Sequence, residues 1–291
     1  MAFGIFVGVL LSAGAMRGRD WIAVGVVLAI WAVGFADDLW NLSPSMRLAS
    51  ELLGGGVLWC AGWQAIWFKT PALNLAATCL LFAFFVNAVN MLDGVDGLAA
   101  GICAIGAIGL TVVLGGSRSG VVLGGCLIAV CAAMLIHNFP PASIFMGDSG
   151  SALIGSLAAL LVLQHNSAEP GVYQALPVIA FFMLPLGDAG LAIVRRLRTR
   201  HSPFRGDRRH YYDLLLQRGW QVRRVLAVSY GLTAILVAVS LLCESERGSG
   251  FALTGVIGLT LLAVAWYLGS LTPDPQARKP QNAELLPKIE A

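Results

Sequence analysis

The chain has 291 residues with a formal net charge of +3, and 57% of the residues are apolar while only 12% are charged. Soluble domains carry about a quarter charged residues, so this composition and the mean hydropathy of +0.77 exclude an ordinary soluble protein. They indicate a polytopic membrane protein, for which we expect the lipid bilayer and no nucleic acid as a partner.

Hydropathy predicts an all-α fold of about ten transmembrane helices, if about 20 apolar residues make one span. The first segment has no upstream basic region or cleavage site, so we expect it to be a retained span. We therefore predict one transmembrane catalytic domain over residues 1–271 and a polar, disordered cytoplasmic tail over 272–291. The predicted spans are 2–16, 21–35, 48–68, 73–91, 97–115, 120–137, 150–164, 172–197, 222–242 and 250–270.

The connections between these spans divide into two sets on opposite sides of the membrane. Counted with the four arginines at the ends of the adjoining spans, Arg195, Arg196, Arg223 and Arg224, one set holds 14 of the 19 Lys and Arg residues. Cytoplasmic segments carry the excess of Lys and Arg, so this set is predicted to be cytoplasmic. Every motif described below lies in it, which predicts a single active site on the cytoplasmic face. The set comprises 36–47, 87–96, 138–149, 198–221 and 272–291.

The second predicted span ends in the sequence Gly34–Leu39, which contains the adjacent carboxylates Asp37 and Asp38. Two neighbouring like charges are unfavourable unless a cation or a shared proton relieves them. On its own, such a pair at a helix end is most often a solvated boundary. Its interpretation therefore depends on the other acidic motifs of the same face.

Four polar side chains recur at every third position of the segment that closes the fourth span. Residues three apart are neighbours on a helix, so this spacing predicts a polar seam along one helical surface. Gly94 and Gly97 would let a ligand approach the backbone, and ionisable groups at a membrane edge are rare and usually functional. We interpret the seam as a site for a cation or a phosphate. Its members are Asn87, Asn90, Asp93 and Asp96.

Asp148 and Ser149 open the seventh predicted span, after the proline-containing sequence 138–147. A helix N-terminus offers free N–H groups and a favourable field for anions, which predicts a phosphate site here. Carboxylate oxygens and phosphate oxygens together suit Mg²⁺ or Mn²⁺. Asp148 is therefore a candidate metal ligand, with a simple N-cap as the alternative.

The longest cytoplasmic loop is rich in arginine, and arginine forks match the geometry of phosphate. Orientation of the protein in the membrane is a sufficient explanation for arginines such as Arg195 and Arg223. It explains Arg208 and His210 less well, because they follow a turn fixed by proline. Asp188 lies inside a predicted span, where carboxylates are rare and usually functional. These last three residues are therefore candidates for substrate binding.

Together the motifs place several carboxylates, a helix N-terminus and a basic loop at one membrane face, which suits a metal-bound pyrophosphate donor and a lipid acceptor. The sequence also resembles the polyprenyl-phosphate N-acetylhexosamine-1-phosphate transferases, a family related to the peptidoglycan translocase. The resemblance covers residues 34 to 220. Its matching blocks, in family order, are GFADDLW, NAVNMLDGVDGLAAG, NFPPASIFMGDSGS, PLGDAG and SPFRGDRRH.

The resemblance implies transfer of N-acetylhexosamine 1-phosphate from a UDP-N-acetylhexosamine to undecaprenyl phosphate, with release of UMP and a requirement for Mg²⁺ or Mn²⁺. It implies a multi-pass protein of the bacterial inner membrane that catalyses the first membrane step of a cell-surface polysaccharide pathway. An O-antigen-like product, and so lipopolysaccharide biosynthesis, is the expected context. Both a monomer and a homodimer stay open.

The resemblance also implies roles for individual residues. Asp148 and Asp38 are expected to bind the metal, and Asp37 and Asp38 to engage the lipid phosphate. A direct attack assisted by an aspartate base and a covalent aspartyl intermediate both remain open. The predicted catalytic set is Asp37, Asp38, Asp93 and Asp96. The predicted substrate-binding set, in which the last two resemble the family's donor-diphosphate binders, is Asn87, Asn90, Ser149, Asp188, Arg208 and His210.

Two features depart from the family pattern. Tyr211, Tyr212 and Asp213 follow His210 where the family usually has further histidines, so the donor sugar is not assigned. The family usually has another helix and a cytoplasmic segment before the span that opens this sequence, which keeps an N-terminally shortened, inactive member as an alternative. A membrane transporter is the other alternative, but its acidic residues would be spread through the depth of the bilayer.

Overall fold

A computed structural model describes residues 14, 16–198, 200, 202, 208–244 and 258, and these residues form helices without any strand. The predicted all-α fold is therefore confirmed. A 3-10 turn, Leu114–Gly116, extends the fourth helix. The helices are α1 Gly18–Trp40, α2 Pro44–Cys60, α3 Pro71–Leu92, α4 Leu98–Val113, α5 Arg118–Asn138, α6 Gly147–Ala168, α7 Val172–Ala180, α8 Met183–Arg198, α9 Tyr211–Gln217 and α10 Val222–Glu244.

Six of these helices are long and apolar enough to cross a membrane: α1, α3, α4 with its 3-10 extension, α5, α6 and α10. A seventh span results if α7 and α8, which are bent by 100° relative to each other, count as one. The prediction of a polytopic membrane protein is thus confirmed. The predicted spans 2–16 and 250–270 and the tail 272–291 lie almost wholly outside the described residues.

The predicted span 48–68 is wrong, because α2 has only 17 residues and ends at Cys60. Gly62 adopts a φ of +85°, and its N–H donates to the carbonyl of Trp59 at 3.1 Å. The N–H of Trp63 donates to the carbonyl of Leu58 at 2.9 Å. These two bonds form a Schellman motif, which closes the helix where glycine accepts the left-handed conformation.

The predicted span 172–197 is also wrong as a single helix, because a turn at Phe181 and Phe182 interrupts the helix between α7 and α8. Pro185 explains the break: it has no N–H to donate to the carbonyl of Phe181, and its ring would clash with that carbonyl in a continuous helix. The second piece, Met183–Arg198, starts again with the proline in its first turn, where the missing N–H costs little.

Two predicted boundaries move in a way that matters for the site. Helix α1 runs to Trp40 and not to residue 35, so Asp37 and Asp38 lie in its last turn. Helix α3 ends at Leu92, so Asn87 and Asn90 lie on the helix while Asp93 and Asp96 follow it in a turn. The predicted polar seam is therefore half helix and half turn.

Helix α6 forms the centre of the fold, and every residue from 150 to 166 is buried. It packs against α1, α3, α4, α5 and α7. Glycines let the backbones approach closely: a Cβ on Gly34 would lie 2.6 Å from the carbonyl oxygen of Asp148, and one on Gly155 would lie 2.7 Å from the Cα of Val86. These contacts, of the kind that small residues permit between membrane helices, bring the ends of α1 and α3 beside the start of α6.

Candidate functional site

The first feature of the site joins the end of α1 to the start of α6. The carboxylate of Asp38 accepts hydrogen bonds from the backbone N–H groups of Asp148, at 2.8 Å, and Ser149, at 3.0 Å. The helix N-terminus therefore holds an anion, as its field favours, but that anion is a side chain of the protein itself. Gly147, with a φ of +66°, makes room for it, since a Cβ there would lie 3.0 Å from Asp38 Oδ1.

The junction between the end of α1 and the start of α6 forms a corner of the fold. Arg47, in the first turn of α2, connects two carboxylates of this α1–α6 corner, Asp37 and Asp148. Its Nη1 donates to Asp148 Oδ1 at 3.0 Å and also to Asp37 Oδ2. The side chain of Asp37 is only 6% exposed and accepts a further bond from the N–H of Leu42 at 2.6 Å. A cationic group thus already lies between the carboxylates that the sequence assigns to metal and lipid phosphate.

Helix α3 completes the corner with two amides. Asn90 Nδ2 donates to the carboxylate of Asp148 and to Ser151 Oγ, the latter at 3.1 Å. One turn earlier, Asn87 Nδ2 donates to the buried carboxylate of Glu51 on α2 and to the carbonyl of Ala83 at 2.9 Å. These side chains line a pocket between α1, α2, α3 and α6. Its residues are Ile30, Val33, Gly34, Arg47, Ser50, Glu51, Val86, Asn87, Asn90, Asp148 and Ala152.

The turn after α3 carries the remaining two predicted acids. The pKa of Asp93 is raised to about 7, first by burial and in addition by the nearby charges of Asp148 and Asp96. Asp96 Oδ2 accepts from the N–H of Ala142 at 3.2 Å, which ties the turn to the segment before α6. Asp93 therefore changes its protonation state near neutral pH.

The basic loop is attached to the fold through Asp188. The Oδ2 of this buried carboxylate pairs with Nδ1 of His210, and its Oδ1 accepts from the N–H of Tyr211 at 2.9 Å. Asp188 thus orients His210, and its contact with substrate stays a prediction. Arg208 is exposed, and its carbonyl accepts from Gln217 Nε2 at 3.4 Å.

The donor set fits a hard divalent cation in its chemistry, because carboxylate, amide and hydroxyl oxygens are what Mg²⁺ prefers. Within the described part of the chain, no three His, Cys, Asp or Glu side chains are grouped closely enough to hold a metal. Two carboxylates, those of Asp37 and Asp148, are held close to each other because both pair with the guanidinium of Arg47. Asp37, Asp148 and the amide of Asn90 are thus the residues that could hold the cation.

Sequence reasoning missed three side chains of this site: Arg47, Glu51 and Ser151. A signal for the first two exists, since they are four residues apart and share one face of a helix that begins at Pro44, after the N-cap Ser43. Ser151 is a small residue next to the predicted Ser149, and only its hydrogen bond with Asn90 distinguishes it. Conversely, Arg195, which the sequence assigns to orientation, is buried with only 3% exposure.

Comparison with known proteins agrees with this arrangement of motifs. Residues 21–166 match the family model described as Glycosyl transferase family 4. Decaprenyl-phosphate N-acetylglucosaminephosphotransferase of Mycobacterium leprae is 31% identical over 80% of this chain and 67% of its own length. The probable undecaprenyl-phosphate N-acetylglucosaminyl 1-phosphate transferase of Bacillus subtilis is 29% identical over 78% of this chain and 66% of its own.

A third relative is the undecaprenyl-phosphate alpha-N-acetylglucosaminyl 1-phosphate transferase of Yersinia pestis, which is 30% identical over 81% of this chain and 68% of its own length. The alignments thus span about two thirds of these relatives. The matched region contains the DD pair, the Asn/Asp segment and the start of α6, which the structure brings into one corner. The chain belongs to glycosyl transferase family 4, the family of the polyprenyl-phosphate sugar-1-phosphate transferases.

Proposed function

We propose that this protein transfers N-acetylhexosamine 1-phosphate from a UDP-sugar to undecaprenyl phosphate and releases UMP. One observation carries the proposal: Asp37, Asp148 and Asn90, from three different helices, meet at one end of the membrane-spanning bundle. That end is where a phosphate on a membrane lipid would lie. The names of the relatives describe transfer to decaprenyl or undecaprenyl phosphate, which supports the same reaction class.

The reaction brings two phosphates together, so its main requirement is neutralisation of their charges and in-line placement. A divalent cation, Mg²⁺ or Mn²⁺, would supply that neutralisation from Asp37 and Asp148. Asp38 holds the N-terminus of α6 against α1, and so fixes Asp148 relative to Asp37. Asn90 orients the carboxylate of Asp148 through its amide group.

On the donor side, the proposal assigns the UDP diphosphate to Arg208 and His210. Asp188 fixes the orientation of the imidazole through Nδ1. Asp93 and Asp96 lie on the turn between this loop and the α1–α6 corner, where an acid of raised pKa suits proton transfer. Asn87 binds Glu51 in the structure, so it shapes the pocket together with that side chain.

The proposal places the site on the cytoplasmic face of a bacterial inner membrane, because the basic residues concentrate on that side of the chain. UDP-sugars are cytoplasmic, whereas the acceptor is confined to the bilayer. The product is the first lipid-linked intermediate of a cell-surface polysaccharide, with an O-antigen-like chain as the expected case. Comparing different UDP-sugars as donors would identify the sugar that is transferred.

The test is to incubate membranes containing the protein with radiolabelled UDP-sugars and undecaprenyl phosphate. We expect a lipid-linked sugar and an equal amount of UMP, both dependent on added lipid phosphate. The matched control is Asp148→Asn, which removes a charge from the corner without changing the size of the side chain. A folded protein that forms no labelled lipid with any UDP-N-acetylhexosamine would contradict the proposal and indicate an inactive family member.

A further inference from the structure

Arg47 has an unusual position for an arginine near a proposed cation site. A single nitrogen, Nη1, donates to both Asp37 and Asp148, which come from α1 and α6. The arginine side chain is 27% exposed, whereas Asp37 is almost fully buried at 6%. Asp37 is therefore held in a dry environment with a positive partner that remains in reach of solvent.

This arrangement has an electrostatic reason. Two carboxylates that converge in a partly buried corner repel each other, and leaving them without a cation would be costly. Asp37 and Asp148 are brought together by the close packing of α1 on α6 at Gly34. Arg47 supplies the charge that keeps this packing favourable.

The same contact creates a competition. A divalent cation that binds Asp37 and Asp148 needs the carboxylate oxygens that Arg47 now uses, and it would bring a second positive charge against the guanidinium. Within the described residues, neither Nε nor Nη2 of Arg47 donates to a protein acceptor. Among the described residues, the side chain is therefore held by hydrogen bonds to these two carboxylates and by the nearby charge of Glu51. Its long flexible stem allows it to leave.

We infer that Arg47 is a built-in competitor of the divalent cation: it neutralises Asp37 and Asp148 when the cation is absent and is displaced when the cation binds. The inference rests on the proposed function, because it takes Asp37 and Asp148 as the residues that hold the cation. It gives a role to α2, which the sequence motifs do not include. It also explains why the acids of this corner are paired with an arginine and not grouped around an open metal site.

The first test measures Mn²⁺ binding to the purified protein in detergent, without substrates, from the electron paramagnetic resonance signal of free Mn²⁺. Arg47→Gln should bind Mn²⁺ at least about tenfold more tightly than wild type, because the competing contact is lost. The tightening should persist at high salt, which screens attraction between distant charges but not a direct contact. The matched control is Arg223→Gln. Arg223 is exposed and its Nη2 donates to the carbonyl of Pro140 at 3.5 Å, so the Mn²⁺ affinity of this variant should stay within about twofold of wild type.

The second test needs only the wild-type protein and so does not depend on the folding of a variant. Arginine-specific modification by phenylglyoxal, read by mass spectrometry, should be several-fold faster at Arg47 in the presence of Mn²⁺, while Arg223 reacts at an unchanged rate. Mn²⁺ binding that leaves Arg47 equally or less reactive would overturn this inference alone, as would unchanged or weaker binding by Arg47→Gln. Absence of Mn²⁺ binding in wild type and variant would overturn the inference together with the metal assignment, while the transfer assay still tests the reaction class.

Discussion

The phenol of Tyr212 donates a hydrogen bond to the main-chain carbonyl of Met91 at an O–O distance of 2.9 Å. This bond joins the helix after the basic loop to the last turn of α3, two residues before Asp93. The contact is close, because a Cβ on Gly94 would lie 2.3 Å from the hydroxyl oxygen. Tyr212 also stacks on His210, with ring centroids 5.3 Å apart. Tyr212 therefore holds His210, on the proposed donor side, in a fixed position relative to the turn that carries Asp93.

We expect Tyr212→Phe to lower transfer activity more than it lowers stability. The free energy of unfolding should fall by about 1 kcal/mol, the usual net worth of one hydrogen bond. Activity should fall further because the Asp93 turn is no longer fixed against His210. The measurements are thermal unfolding in detergent and the rate of UMP release. A loss of activity no larger than the loss of stability accounts for would contradict this coupling.

Metal dependence is the second prediction. Transfer should stop in EDTA and return with Mg²⁺ or Mn²⁺, because Asp37 and Asp148 cannot neutralise the phosphates by themselves. Asp148→Asn should insert and fold but lose activity by about 100-fold or more, as expected for loss of a group that acts on transition-state charge. The readout is UMP release by membranes at matched protein levels. Full turnover in the chelator would remove the cation from the proposed reaction.

The third prediction separates binding arginines from orienting ones. His210→Ala and Arg208→Ala should each cost about 2–4 kcal/mol of transition-state stabilisation, measured as the loss in kcat/KM for the UDP-sugar. Arg223→Ala should stay within a few-fold of wild type. Arg195 is not a suitable control, since it is buried and its replacement would disturb packing. Equal, mild losses for all of the replaced residues would make the loop only an orientation signal.

Sequence could predict the class of fold because hydropathy reports directly on membrane helices, and it found the acidic segments because polar side chains are rare there. It could not locate the end of α2, which depends on Gly62, or the break between α7 and α8, which depends on Pro185. Glycine and proline both occur within membrane helices, so their presence in the sequence does not show that a helix ends or bends there. The backbone geometry of the structure does show it. An apolar run therefore predicts a span but not its continuity.

The sequence also predicts only part of the site. It singles out four residues whose side chains the structure brings together: Asp37, Asp38, Asn90 and Asp148. Their partners are not predictable, because the bonds cross from one helix to another over as many as 111 positions. Arg47 is the main example: in the sequence it is a single basic residue at a helix start, and only the packing of α2 shows that it joins two carboxylates.

Membrane topology is the fourth prediction. A cysteine at Ser45, near Asp37, should be protected from an impermeant maleimide in intact cells, whereas one at Lys69 should react. Both positions are exposed: Ser45 lies in the first turn of α2, near Asp37, and Lys69 lies just before α3, at the opposite end of that helix from Asn90. The experiment needs a background in which the exposed Cys60 is replaced. The reverse pattern would put the site outside the cell, away from a cytoplasmic UDP-sugar.

The last prediction concerns pH and Asp93. Its pKa is raised to about 7, so the carboxyl is mostly neutral below that pH and ionised above it. The charge of Asp93 acts on Asp148, so a cation held by Asp148 favours the ionised form of Asp93 and competes with its proton. Mn²⁺ affinity of the wild type should rise by up to about tenfold between pH 6 and pH 8. Asp93→Asn should flatten this rise. Asp96→Asn removes one of the charges that raise the pKa of Asp93, so it should move the rise to lower pH. A wild-type affinity that does not change across this range would separate Asp93 from the cation and leave it to the donor side alone.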